Sequence, residues 1–173
     1  MFEIRLAKNN CRSRIVEILN TVTLSLQQKN INQWTYPCDS KKLEMDIKNK
    51  NTYVLESENI IIGTFSLKNL VSNSWVLSVR QNDLYLYGIA ILPEYQGKNI
   101  GRVIIDYSCK ISRDTKKTLY LDCWAGNEKL KNFYIKAGLD YCGDFPEEDY
   151  MISVYKFESK GDNYGIKYQT NEG

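Results

Sequence analysis

Residues 83 to 114, DLYLYGIAILPEYQGKNIGRVIIDYSCKISRD, constrain this chain more than any other stretch. An unbroken apolar strand pattern from Asp83 to Leu92 runs through Pro93 into the tight segment Gln96-Gly97-Lys98-Asn99-Ile100-Gly101. A helical pattern follows at once. Ile100, Val103, Ile104, Tyr107 and Ile111 fall on one face of a 3.6-residue period, which predicts a helix from near Gly101 to Arg113 with a buried stripe. Its first amides have no partner within the helix. A loop of little side-chain bulk in front of free helical N–H groups and a positive dipole end suits a diphosphate. Neither G-x-x-x-x-G-K-[ST] nor G-x-G-x-x-G occurs, which excludes the two best-known phosphate loops.

A second segment, residues 118 to 139, TLYLDCWAGNEKLKNFYIKAGL, follows the first closely. Thr118 to Trp124 reads as a strand, and Asn127 stands where an N-cap belongs. Leu130, Phe133, Tyr134 and Ala137 form the apolar stripe of the next helix, and Gly138 sits at the C′ position. Seven residues is nearly two turns, so Asn127 and Tyr134 lie on one side of that helix.

The two segments together resemble the acetyl-CoA region of the GCN5-related N-acetyltransferases, the GNAT superfamily. That family's loop is Q/R-x-x-G-x-G/A after a strand ending in proline. Here Pro93, Gln96 and Gly101 match, while Asn99 replaces the central glycine. Asparagine is the non-glycine residue that takes left-handed backbone angles most readily, so the turn survives. The resemblance is specific over residues 83 to 142. It implies a single-domain α/β GNAT fold: a mixed, mostly antiparallel sheet of about six or seven strands, flanked by about four helices, with a V-shaped splay between the two central strands. It also implies acetyl-CoA as cosubstrate, held by Gln96, Gly97, Lys98, Asn99, Ile100, Gly101 and Arg102. Unpaired N–H groups around Ile89, Ala90 and Ile91 would bind the pantetheine amides and the thioester oxygen. Asn127 would hydrogen-bond the pantetheine arm, and Tyr134 would protonate the leaving thiolate. For Asn127 plain capping, and for Tyr134 a place in the core, are the structural alternatives.

At 173 residues, 43% hydrophobic and 25% charged, the chain suits one domain. Residues 1–158 read as that domain and 159–173 as a C-terminal tail without periodicity. A net charge of +2 gives no handle for nucleic acid or an anionic membrane. Five cysteines, odd in number and without C-x-x-C spacing, read as small core residues in a reducing cytoplasm. The absence of histidine removes imidazole catalysis and leaves no expected metal site.

Phe2 to Ala7 alternates as a half-buried strand. A helix striped by Ile15, Ile18, Leu19, Val22 and Leu26 follows and stops near Asn30. The loop Asn32 to Pro37 places Trp34 and Tyr36 where family members form part of the acceptor wall. Covering the sheet edge is the alternative role. Asp39 or Ser40 caps a helix over Lys41 to Lys50. Residues 52–67 read as a hairpin turning at Glu58-Asn59, and Gly63 and Gly88 each mark a bulge or close backbone approach. Residues 68–82, with Trp75 and Arg80, read as an extension of the third strand or a loop. Leu139 to Cys142 and Tyr150 to Phe157 read as strands joined by the acidic loop Asp144 to Asp149.

The expected chemistry is direct transfer of an acetyl group from acetyl-CoA to a primary amine in a ternary complex, the acceptor a small molecule given the near-neutral charge. A protein N-terminus or lysine, and a non-catalytic CoA-binding regulatory module, are the alternatives. Asp83, Asp122, Glu56 and Glu94 are available as general base, with Asp122 preferred. Cys123 lies beside the expected slot and leaves an acyl-cysteine route open. Members of the family often dimerise, so a homodimer is admitted, although no stretch identifies an interface.

Overall fold

The computed structural model describes residues 1–70 and 82–159. Its strands are β1 Phe2–Leu6, β2 Thr52–Ser57, β3 Ile60–Asn69, β4 Leu84–Ile91, β5 Leu119–Trp124, β6 Asp140–Glu147 and β7 Tyr150–Phe157. Four helices, α1 Arg12–Gln28, α2 Ser40–Lys48, α3 Ile100–Thr115 and α4 Glu128–Lys136, complete it, with short 3₁₀ turns at Asn9–Cys11 and Pro93–Tyr95.

Local chemistry sets the boundaries. The Asp39 carboxylate accepts from the amides of Lys41 and Lys42 at 3.0 and 3.1 Å and so starts α2. Asn30 ends α1 in the left-handed region, φ 59°. Glu58 and Asn59 both take positive φ, the geometry that a two-residue hairpin needs between β2 and β3.

The strands form one sheet in the order β1-β2-β3-β4-β5-β7-β6, antiparallel throughout except for β4 beside β5. Helices α1 and α2 cover one face, packing Ile15, Ile18, Val22, Leu43 and Ile47 against Val54, Ala90 and Leu92. Helices α3 and α4 cover the other, packing Ile100, Ile104, Ile105 and Tyr134 on Leu55, Phe65, Leu86, Leu119 and Leu121. Burying each such branched aliphatic is worth about 1.5–3 kcal/mol. The surface pair Arg102–Asp106 along α3 adds at most about 0.5 kcal/mol, so burial holds the helix in place.

A β-bulge in β4 decides what the centre of the sheet presents. Thr64 pairs with Ala90 and Ser66 with Tyr87, so Phe65 alone stands opposite Gly88 and Ile89. Gly88 takes φ +63°. The extra residue reverses the alternation. Leu84 and Leu86 point to the α3 face, yet Ala90 and Leu92, also even-numbered, point to the α1 face.

The parallel ladder between β4 and β5 is short: Leu84 pairs with Leu119 and Tyr85 with Tyr120, and no pair follows. Past that point the strands part, which is the splay that the family resemblance implied.

Several details differ from the sequence reading. Much of the acidic run 144–149 is strand, since β6 extends to Glu147 and only Glu148-Asp149 turns the hairpin. Pro146 is tolerated because β6 is an edge strand. The buried face of α3 is wider than the expected stripe and includes Ile105 and Cys109, while Val103, Tyr107 and Ile111 are partly buried at its flank. Cys11, Cys109 and Cys123 are buried as expected of core thiols, but Cys38 is half-buried and Cys142 exposed. Lys68 and Asn69 end β3. Trp75 and Arg80, and the tail from residue 160 on, lie outside the described residues.

Candidate active site

The loop after β4 is built from backbone. Gly97 and Asn99 take φ +76° and +61°, two left-handed residues that turn successive N–H groups to one side. Among the described residues no carbonyl or side-chain oxygen accepts from the amides of Gly97, Lys98, Asn99, Ile100 or Gly101, and the next amide, of Arg102, bonds Asn99 O at 3.2 Å. These amides therefore lie bare at the N-terminus of α3, an arrangement of the kind that suits an anion. Gly101 lets the loop close on α4, for a Cβ there would stand 3.3 Å from the Phe133 ring.

The side chains around the loop are mostly engaged in bracing it. Gln96 Nε2 donates to Ile91 O at 2.8 Å and ties the loop to the end of β4. Arg102 pairs with Asp106 at 2.7 Å and reaches the Lys136 carbonyl at 3.4 Å. Lys98 Nζ rests 5.5 Å from the Tyr95 ring centroid. Ile100 is buried in the core, so it brings only its backbone amide to the loop.

Along β4 the amides divide. Leu92 N–H donates to Ile62 O at 3.0 Å, so it and Ala90, two residues back and in register with Thr64, point their amides toward β3. Ile91 points its amide the other way, to the side where β5 has departed. The expectation that Ala90 offers a free amide is therefore corrected: the bulge turns that donor into the β3 ladder. Ile89, next to the bulge, lines the slot.

A cavity of about 500 Å³ passes through the parted strands and joins the two faces of the sheet. On the α3–α4 side it is lined by Ile89, Cys123, Leu130 and Tyr134, and on the α1–α2 side by Trp34, Lys42, Lys68, Tyr85, Tyr87 and Asp122. Tyr85 and Asp122 meet at the crossing, the phenol donating to the carboxylate at 2.5 Å.

Burial raises the Asp122 carboxyl above the usual aspartate range, the hydrogen bond from Tyr85 opposes that rise, and the charge of Glu147 adds to it. Tyr134 is 4% exposed, and burial, followed by Cys123, Asp122 and Tyr155, holds its hydroxyl well above the ordinary phenol value. Burial likewise pushes the Cys123 thiol up to about 12, with Asp122 adding to the effect. At neutral pH the site thus holds a protonated tyrosine and a protonated thiol beside a carboxyl group of raised proton affinity.

Of the expected residues, Trp34, Ile89, Asp122 and Tyr134 share this cavity. Tyr36 does not; it is 49% exposed and outside the lining, because the loop to Pro37 turns it to solvent. Asn127 caps α4, its Oδ1 accepting from Leu130 N at 3.1 Å. Of the other carboxylates considered, Asp83 Oδ1 accepts from Thr118 N at 3.0 Å, Glu56 pairs with Arg5, and Glu94 is exposed on the Pro93–Tyr95 turn, outside the cavity lining. Tyr85, Glu147, Lys42 and Lys68 were not anticipated as lining residues. Alternation along β4 puts Tyr85 and Tyr87 on one face, but the neighbours they meet there come from pairing distant in sequence.

The Acetyltransferase (GNAT) family model matches residues 19–139. No curated protein matches the chain significantly. Among solved structures, an acetyltransferase of the GNAT family from Listeria monocytogenes 4b F2365 superposes with TM-score 0.75 at 19% identity, over 91% of this chain and 94% of that one. The Salmonella typhimurium protein YncA, solved with its cofactor acetyl-CoA, superposes with TM-score 0.69 at 14% identity, over 91% and 94%. The ribosomal-protein-S18-alanine N-acetyltransferase of Escherichia coli gives TM-score 0.70 at 14% identity, over 96% and 100%. At these identities the structures speak for the fold alone. The family match covers more than half of the sequence, and with the bare-amide loop, the parted central strands and the shared architecture it leads to one conclusion: the chain belongs to the GNAT acetyltransferase family.

Proposed function

We propose that the protein transfers an acetyl group from acetyl-CoA to the primary amine of a small molecule, by direct attack in a ternary complex. The observation that carries this reading is the cavity through the β4–β5 split, which runs from Ile89, Cys123 and Tyr134 on the face of α3 and α4 to the buried carboxylate of Asp122 on the other. The bare amides of Gly97 to Gly101, at the start of α3, follow β4 in the chain.

Acetyl-CoA supplies an activated thioester. The amides of Gly97 to Gly101 fit its diphosphate, and the outward amide of Ile91 fits a carbonyl oxygen of the pantetheine or the thioester. Asp122 takes a proton from the acceptor ammonium, leaving a neutral amine whose nitrogen forms the new bond to the acetyl carbon. As the carbon–sulfur bond breaks, Tyr134 gives its proton to the departing sulfur and recovers one from the nitrogen, so that amide, free thiol and one proton result. Cys123 keeps its proton at neutral pH, which favours direct attack over an acyl-cysteine. The cavity volume of about 500 Å³ is of the size that small-molecule sites have.

The test is free-thiol detection with purified protein, acetyl-CoA and a panel of primary amines. Amine-dependent release is the expected result. Saturable acetyl-CoA binding with no release for any amine would make the protein a CoA-binding module instead.

A further inference from the structure

Two lysines line the acceptor side of the cavity. Lys68 Nζ lies 4.7 Å from the Tyr87 ring centroid and 5.9 Å from that of Tyr85, and Lys42 Nζ lies 5.9 Å from that of Tyr87. They come from β3 and α2 and converge on one stacked pair of rings, with centroids 5.4 Å apart and planes within 12°. Neither takes part in an ion pair among the described residues, whereas Lys110, Lys131 and Lys156 do. Four acids line the same cavity, and among the described residues none forms an ion pair with either lysine. Asp39 caps α2, Asp46 Oδ1 accepts from Asn51 Nδ2 at 3.5 Å and lies near the Tyr87 hydroxyl, Asp122 accepts from Tyr85, and Glu147 comes from the edge strand β6. Residues 71–81, which lie outside the description, contain no aspartate or glutamate in their sequence.

The other end of the same ring is anchored on the opposite charge. Tyr85 holds Lys68 over its face and donates its hydroxyl to Asp122 at 2.5 Å. The ammonium, 5.9 Å from the ring centroid, and the carboxylate, 2.5 Å from the ring's hydroxyl, thus flank one tyrosine inside one cavity. A ligand with an amine at one end and an anion a few bonds away spans such a pair, the amine on Asp122 and the anion on the lysines.

From this geometry we infer that the acceptor is a zwitterionic amine of the amino-acid class, whose carboxylate is bound by Lys68 and Lys42. The inference rests on the acetyltransferase reading above and narrows its substrate. The face of Tyr87 holds both ammonium groups by cation–π attraction until the carboxylate arrives. Charge-assisted hydrogen bonds to a carboxylate in a partly buried site favour the anionic ligand by about ten- to a hundredfold.

The experiment compares pairs of acceptors, each an L-α-amino acid and the amine left when its carboxylate is removed, by free-thiol release with wild type, Lys68→Met and Lys68→Arg. Wild type should show kcat/KM at least about tenfold higher for the carboxylated member of each pair that reacts. The preference should survive in Lys68→Arg and collapse toward unity in Lys68→Met, the change residing in KM. Equal rates on both members in the wild type would overturn the carboxylate subsite and leave the acetyltransferase reading standing. Loss of the preference in Lys68→Arg as well as in Lys68→Met would overturn the charge argument. Acetyl-CoA binding without release on either member of any pair would remove the substrate assignment together with the transferase reading.

Discussion

Replacing Gly88 tests the device on which the site is built. Its φ of +63° lies where L side chains are strained, yet a Cβ built on it meets nothing within 4 Å. The cost of a side chain is therefore backbone strain without a clash. For an ordinary residue in the left-handed region that is about 1–2 kcal/mol, which for a domain of this length lowers Tm by roughly 2–8 °C. Asparagine tolerates the region and a β-branched residue does not, so Gly88→Asn should lose least, Gly88→Ala more and Gly88→Val most. Gly63, across the sheet, provides the contrast. It is not at positive φ, but a methyl there would stand 3.0 Å from the Ala90 carbonyl, so in Gly63→Ala the cost is steric and the paired backbone must give by a few tenths of an ångström. Thermal melts and calorimetric titration with acetyl-CoA on the Gly88 series should fall in step, since a side chain that straightens the bulge also turns the Ile91 amide back toward β3. A Gly88→Val protein with the wild-type Tm, or one as little affected as Gly88→Asn, would refute the reasoning.

Tyr134→Phe should lower turnover by about ten- to a hundredfold while acetyl-CoA affinity stays within about twofold, because the hydroxyl alone is removed; an unchanged kcat would dismiss the tyrosine as the acid. Asp122→Asn should cut kcat/KM by about a hundredfold and yet raise Tm at neutral pH. The folded carboxyl titrates above its unfolded value, so the stability that this group contributes is full at low pH and is lost as pH rises through the folded value. The gain in Tm should consequently vanish as pH falls below about 3.9, the ordinary aspartate value, and a variant less stable than wild type at neutral pH would contradict the sign. Gly101→Pro deletes one of the bare amides and sets a ring against Phe133, so acetyl-CoA binding should be lost, whereas Lys98→Ala should cost only a few-fold; equal effects would mean that charge, not backbone, holds the phosphates.

The parts of this protein that local chemistry dictates were legible in the sequence. Asp39 and Asn127 cap the helices expected of them, and the loop 96–101 has the left-handed residues that its glycine and asparagine foretell. What the sequence could not give are properties of pairing. Tyr85 and Asp122 are 37 residues apart and meet because β4 and β5 are in parallel register for two residues before parting. Glu147 was hidden in an acidic run that reads as loop until one knows that β6 is an edge strand, where Pro146 breaks no ladder. Ala90 illustrates the limit best. A bulge at Gly88 was foreseen, but its consequence, that every amide and side chain beyond it changes side, depends on the register with β3.

That reversal also exposes the site to a direct physical test. A strand edge that opens on a cavity leaves its N–H groups without protein acceptors, and an unsatisfied buried amide costs about 1–3 kcal/mol. On β4 the ladder with β5 ends at Tyr85, so the amide of Ile91 meets no strand there, while that of Ala90 is in the ladder with β3. A ligand whose own carbonyls run along this edge relieves the cost for Ile91 and changes nothing for Ala90. Hydrogen exchange read residue by residue should therefore show Ile91 and the amides of Gly97 to Gly101 slowed at least about tenfold by saturating acetyl-CoA, with Ala90 already slow in its absence. Protection that appeared at Ala90 and not at Ile91 would mean that the bulge leaves the alternation of β4 intact, and the assignment of Ile91 as the donor facing the slot would fall with it.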